Sequence, residues 1–210
     1  MKKQQSGFTL VEVAIVMVII GLLLGGVLKG QEVITNARLK NINNDFSGIS
    51  AAIYSYQDRY SALPGDDIAA DAHVGAADNG DGDGSIEGTT AVPVSAFASQ
   101  TADEEVRLAW THLRGAGLVS GEAADQNQAP NAFNGIAGIA TGDGDGAGGT
   151  ANGIAGLLVG FNQIEGNMAV ILDEQNDDGN GDTGTVRSAF AIGGAGTYVL
   201  ANTYSLVFEL

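Results

Sequence analysis

The sequence predicts an α+β fold: a long N-terminal helix, apolar in its first half and amphipathic in its second, packed on a small antiparallel β-sheet domain with Gly/Asp-rich loops. Three observations carry this. An apolar stretch, GFTLVEVAIVMVIIGLLLGGVL, runs from Gly7 to Leu28 with Glu12 as its single charge. Behind it, Leu39, Ile42, Phe46, Ile49, Ile53, Tyr56 and Tyr60 recur at alternating spacings of 3 and 4, which is one face of a helix. Beyond Gly65 the chain changes to short apolar or alternating runs divided by Gly, Asn and Asp.

The first element is the apolar one. Phe8 to Leu28 is 21 residues, which as a helix rise roughly 30 Å, about one hydrocarbon thickness. A secretory signal peptide begins in a similar way, but its apolar core spans about 7–15 residues and ends at a small-residue cleavage site. Here LKGQEVITNARLKN follows and continues the helix. An ionised carboxylate five positions into such a run is costly on an isolated helix in lipid, and usually marks function.

In the second half, Lys40, Asn43, Asn44, Asp45, Ser47, Gln57 and Asp58 lie between the apolar positions, so this part should pack on a globular domain. The helix should stop at ALPGDD, because Pro64 restricts Leu63 and Gly65 permits a turn. From Phe8 to about Tyr60 it would measure roughly 80 Å, too long for the remaining domain to cover. Its front half therefore requires lipid or other chains.

TADEEVRLAWTHLRGAGL predicts a short second helix, capped by Thr101 or Asp103, with Val106, Ala109, Trp110 and Leu113 on one face and Gly115 or Gly117 at its end. Strands are expected at IAGLLVGF, MAVIL, SAFAI and YVLANTYSLVFEL. Trp110 reads as core. His112 reads as a surface or packing residue, and neither it nor His73 sits in a metal or nucleophile motif.

Composition limits the function. The net charge is −16 over 210 residues, and residues 1–28 hold only Lys2, Lys3 and Glu12, so the remainder carries 7 Lys+Arg against 24 Asp+Glu. Such acidity disfavours nucleic acid and anionic lipid as partners, unless Arg59, Arg107, Arg114 and Arg187 gather into a local basic patch. With no cysteine, a disulfide framework and a thiolate metal site are both excluded. No Gly-rich stretch follows a strand and opens a helix with a Lys, and carboxylates without a pocket do not argue acid/base catalysis. No enzyme is expected.

The N-terminal residues resemble the start of type IV pilins and of type II secretion pseudopilins. That family shares a short basic leader ending in Gly, then Phe, a Thr-Leu pair, a Glu at the fifth mature position and an apolar helix. Lys2, Lys3, Gly7, Phe8, Thr9, Leu10 and Glu12 match in order. The resemblance implies a leader at 1–7, a transmembrane and filament-core helix at 8–28, its amphipathic continuation at 29–60 and a globular pilin-like domain at 61–210. It further implies that a prepilin peptidase/N-methyltransferase in the inner membrane cuts between Gly7 and Phe8 and methylates the new amine. The Glu12 carboxylate of one subunit would then pair with the Phe8 amine of another in a low-dielectric bundle, where each is costly alone. Two departures stand out: Lys29 occupies a position where many major pilins have Pro, and the C-terminal cysteine pair is missing.

Two acidic segments are candidates for a cation. DNGDGDGSIEGTT partly matches a calcium loop, with Asn79, Asp81 and Asp83 alternating before Gly84, and Asp78, Glu87 or groups from elsewhere in the chain needed to complete it because Thr90 replaces the terminal Glu. LDEQNDDGNGDTGTVR can gather Asp173, Asp177, Asp178 and Asp182, and the resemblance supports it, since some pseudopilins hold calcium near their C-terminal end. The competing readings are a solvated acidic loop for the first and a plain turn for the second. TGDGDGAGG, with Asp143 and Asp145, reads as a flexible loop.

The functional expectation is a structural subunit of a type IV pilus-related filament. It would be stored as a single-pass inner-membrane precursor with its C-terminal domain in the periplasm. An inner-membrane platform would then assemble it with other copies of itself into a periplasmic or extracellular filament. The alternatives are a type II secretion pseudopilin or minor pilin and, from another class, a membrane-anchored adhesin or binding domain.

Overall fold

The computed structural model describes residues 9–76, 78–87, 97–98, 104–143, 153–189 and 196–210. The chain divides into two units, Met1–Lys40 and Asn41–Leu210. Helix α1, Leu10–Tyr60, contributes to both. In the first unit every residue from Thr9 to Leu28 is exposed, so an apolar surface with Glu12 as its single charge is left without cover from this chain. By length and composition the helix is able to cross a membrane.

The 3/4-spaced face of α1 is buried at Leu39, Ile42, Ile49, Ile53 and Tyr56 and half-buried at Phe46 and Tyr60. The helix ends where the sequence places its stop. The Ser61 amide donates to the Gln57 carbonyl at 2.8 Å and Ser61 itself turns left-handed, φ 55°. Gly65 follows at φ 98°, where a Cβ would lie 2.5 Å from the Glu105 carbonyl oxygen. Only glycine satisfies both conditions at this position.

The second unit adds α2 (Ala70–Val74), α3 (Glu105–Gly115) and α4 (Gly166–Asn176). Its strands are β1 (Ala129–Pro130), β2 (Ile136–Asp143), β3 (Ala155–Glu165), β4 (Val186–Ser188) and β5 (Thr203–Glu209), all antiparallel in the order β1-β2-β3-β5-β4. The α+β expectation therefore holds. From Asn41 onward α1 packs on the sheet through Phe46, whose ring centre is 5.0 Å from that of Phe208; Phe208 in turn meets Phe161 edge-on at 5.6 Å. Tertiary burial of such an apolar face, rather than propensity, supplies most of a helix's stability.

In the middle of the sheet Gly138 of β2 pairs with Gly160 of β3. Together they make room for Phe97, which is fully buried: a Cβ at Gly138 would lie 2.0 Å from the Phe97 carbonyl oxygen, and one at Gly160 2.5 Å from its ring. Glycine inside a strand is otherwise weakening, and here it permits the close approach of another segment.

Helix α3 agrees with the sequence reading, with Val106, Ala109, Trp110 and Leu113 buried on one face. Its N-cap position is Glu104, whose side chain makes no capping bond to the helix; Thr101 and Asp103 lie outside the described residues. MAVIL is helical, which corrects the expectation of a strand. A five-residue apolar run has no period of its own to separate buried strand from buried helix. In α4 the buried positions Gly166, Ala169, Leu172 and Asp173 fall at helical spacing. Strand β2 was not anticipated, since its Ile, Ala and Gly lack a clear alternation. YVLANTYSLVFEL is strand only from Thr203, and of SAFAI only Ser188 lies in a strand; residues 190–195 are outside the described set.

Candidate functional site

At the start of α1, Thr9 and Glu12 satisfy one another. The Thr9 amide and hydroxyl donate to Glu12 Oε2 at 2.8 and 2.7 Å, and the Glu12 amide donates to Thr9 Oγ1 at 3.3 Å. This is a capping box, which covers two of the amides that every helix start leaves without an intrahelical acceptor. The Thr-x-x-Glu spacing is a capping signature in the sequence itself, overlapping the residues that match the processing signal. Glu12 is thus a capping group within one chain as well as the single charge of the apolar surface. Gly7 and Phe8 lie outside the described residues.

The first acidic segment gathers a different set of residues from the one expected. Asp81 and Asp83 come together with Asp66, from the turn after α1, and Glu105, the first residue of α3; each carboxylate places an oxygen within 4.8 Å of the others. Asn79 is engaged elsewhere, exchanging hydrogen bonds with Asp71 at 2.9 and 3.2 Å. Asp78 presents its carbonyl oxygen to His112 Nε2 at 3.1 Å, and Glu87 takes part through its amide, which donates to Glu105 Oε2 at 3.1 Å.

The loop is shaped around its carboxylates. Gly84 N–H donates to Asp66 Oδ2 at 3.0 Å, Asp81 N–H to Glu105 Oε1 at 3.0 Å, Asp83 N–H to Asp81 Oδ1 at 3.1 Å and Ser85 N–H to Asp83 Oδ1 at 2.8 Å. Asp66 is only 6% exposed, and its Oδ1 has no hydrogen-bond partner. Burial, together with the charges of Asp83 and Asp81, raises its pKa against the opposing pull of the Gly84 and Gly82 amides. Burial also raises Glu105. Two unit charges about 4.8 Å apart repel by roughly 3 kcal/mol at an effective dielectric of about 20, so a cation between these carboxylates would offset a real cost.

The second segment brings Asp173, Asp177 and Asp178 within the same 4.8 Å, while Asp182 lies outside that group. Here the oxygens are occupied. Asp173, fully buried, accepts from Gly179 N–H at 2.8 Å and from the Tyr198 hydroxyl at 2.6 Å. Asp177 Oδ2 accepts from the amides of Thr185 and Val186, and Asp178 accepts from Asn180 N–H and the Thr183 hydroxyl. These bonds build a turn between α4 and β4.

Trp110 and His112 are both buried, Trp110 as the core residue expected and His112 as the packing rather than the surface residue of the two readings. His112 Nδ1 accepts from Gly65 N–H at 2.9 Å. The arginines bind nearby carbonyls: Arg59 that of Ala116, Arg107 that of Gln126, Arg114 that of Ser120 and Arg187 that of Gly184. Asp66 and Glu105 were missed by sequence reasoning because they join Asp81 and Asp83 only through the fold.

Comparison with curated proteins and with solved structures yields no match. A family model described as the prokaryotic N-terminal methylation motif matches residues 2–28. Those residues hold the Thr9–Glu12 box and the uncovered apolar surface of α1 up to Leu28. The segment Lys2–Leu28 is therefore a prepilin-type N-terminal methylation signal, of the kind carried by type IV pilins and pseudopilins.

Proposed function

We propose that the chain is a structural subunit of a type IV pilus-related filament, held in the inner membrane as a precursor and assembled through α1. The observation that carries this is the uncovered apolar surface from Leu10 to Leu28, interrupted by one carboxylate four residues after the Phe of a methylation signal. In lipid that surface is an anchor. In a bundle of α1 helices it becomes packed core, and Glu12 exchanges its capping partner for the Phe8 amine of another copy. A prepilin peptidase/N-methyltransferase is the processing partner, and other copies of the chain are the assembly partners. The periplasmic domain is the acidic second unit.

The test is mass spectrometry of the mature chain from peptidase-competent cells. A methylated Phe8 N-terminus is expected, and an intact Met1 terminus would overturn the reading. Long extracellular fibres built of this chain would mark it as a pilus subunit, whereas a short periplasmic assembly would mark a secretion pseudopilin.

A further inference from the structure

We infer that Asp66, Asp81, Asp83 and Glu105 form a calcium site that ties together the turn after α1, the 79–87 loop and the start of α3. Two independent observations meet there. The first is the geometry, in which four carboxylates from three segments each place an oxygen within 4.8 Å of the others. The second is the state of Asp66. Asp66 is 6% exposed, Oδ2 accepts from Gly84 N–H, and Oδ1 is buried with no hydrogen-bond partner among the described residues. A buried carboxylate oxygen without a partner is rare in folded proteins and calls for an ion or a proton.

A cation is favoured over other partners by what surrounds the group. Among the described residues, no ion pair involves any of the four carboxylates. The amides that meet Asp81, Asp83 and Glu105 each occupy one lone pair of an oxygen that has another to give. All donors are carboxylate oxygens, which selects a hard cation over zinc or copper. They stand on loops and a helix start rather than in a rigid octahedron, which suits calcium better than magnesium. A cleft of about 550 Å³, lined by Gln57, Ser61, Leu63, Asp66 and Ile68 among others, adjoins the site and admits the waters that would complete the coordination. The turn formed by Asp173, Asp177 and Asp178 differs on the decisive point, because both Asp173 oxygens already have donors. The inference does not depend on the filament reading.

The experiment is calcium titration of the detergent-solubilised full chain, read by calorimetry and by the melting temperature, with magnesium and chelator arms. One calcium per chain is expected, with affinity in the ~10⁻⁴–10⁻³ M range or tighter, a rise in melting temperature that chelator reverses, and a smaller response to magnesium. Asp81→Asn and Asp83→Asn, both on exposed loop residues, should each weaken binding about tenfold or more, while Asp178→Asn should leave it unchanged. Asp66→Asn should abolish the calcium response yet melt no lower than the wild type in chelator, a combination that a purely structural aspartate would not give. The inference is overturned by a folded wild type with no calcium-dependent shift at millimolar ion. It is equally overturned by a shift that survives the Asp81→Asn/Asp83→Asn double substitution.

Discussion

The Tyr198 hydroxyl stands 2.6 Å from Asp173 Oδ2, which makes it one of the two donors that satisfy a fully buried carboxyl on α4. Burial raises the pKa of Asp173, while that hydroxyl and the Gly179 amide oppose the rise. Tyr198→Phe keeps the ring against Tyr204, 5.1 Å away and edge-on, but leaves Oδ2 without its donor. A loss of about 1–3 kcal/mol is expected in denaturant unfolding of the full chain. Asp173→Asn added to Tyr198→Phe should cost less than the two changes separately, which a double-mutant cycle would detect.

His112 sets a pH dependence. Burial pushes its pKa below the ordinary histidine value, and the Asp78 carbonyl and the charges of Asp67 and Asp78 offset this only in part. Its Nδ1 accepts the Gly65 amide, so the folded state holds the ring neutral. The unfolded chain then binds a proton that the folded chain does not. The contribution of His112 to stability is therefore intact above about pH 6.5 and falls as the pH drops from there toward the folded pKa. Melting temperatures between pH 7.5 and 5 should decline, and His112→Asn should flatten that decline while lowering the plateau. An equal slope in the variant would assign the pH dependence to other groups.

Phe97 and Gly160 should be coupled. Gly160→Ala would set a methyl group 2.5 Å from the Phe97 ring, and overpacking of this kind costs about 1–3 kcal/mol. In a Phe97→Ala background the same substitution should cost much less. Chemical denaturation of the four chains in the cycle reads the coupling directly, and independent effects would show that the sheet relieves the clash by moving.

Thr9 and Glu12 allow capping to be separated from charge. Glu12→Gln keeps an acceptor for the Thr9 amide and hydroxyl but removes the carboxylate. It should insert in the membrane normally, keep amide protection in the first turn of α1 and lower filament yield several-fold. Thr9→Ala should do the reverse, exposing first-turn amides to exchange while retaining the charge. Normal filament yield from Glu12→Gln would leave capping as the role of Glu12.

What the sequence revealed follows from how local each signal is. Helix α1 was legible because its apolar positions repeat over about six turns, and α3 because Val106, Ala109, Trp110 and Leu113 share one short face. MAVIL misled because apolar content without a period does not choose between strand and helix. The methylation signal was readable from contiguous residues, and Asp81 and Asp83 from their alternation around glycines. Asp66 and Glu105 were not, since nothing in PGDD or ADEEV indicates that the turn after α1 and the start of α3 meet over the same loop.

The sheet order carries a consequence for biogenesis. Strand β5 lies between β3 and β4, so β4 has no described partner until Thr203–Glu209 arrives. As the chain emerges, β1, β2 and β3 can assemble in turn, but the ladder that completes the domain is the last of these to be delivered. A copy cut short of Thr203 would retain its methylation signal and apolar helix and still be addressed to the membrane. It would arrive there with open edges on β3 and β4, prone to pair with other chains. The topology thereby makes closure of the described sheet wait on Thr203–Glu209, which leaves the ribosome after every other described strand.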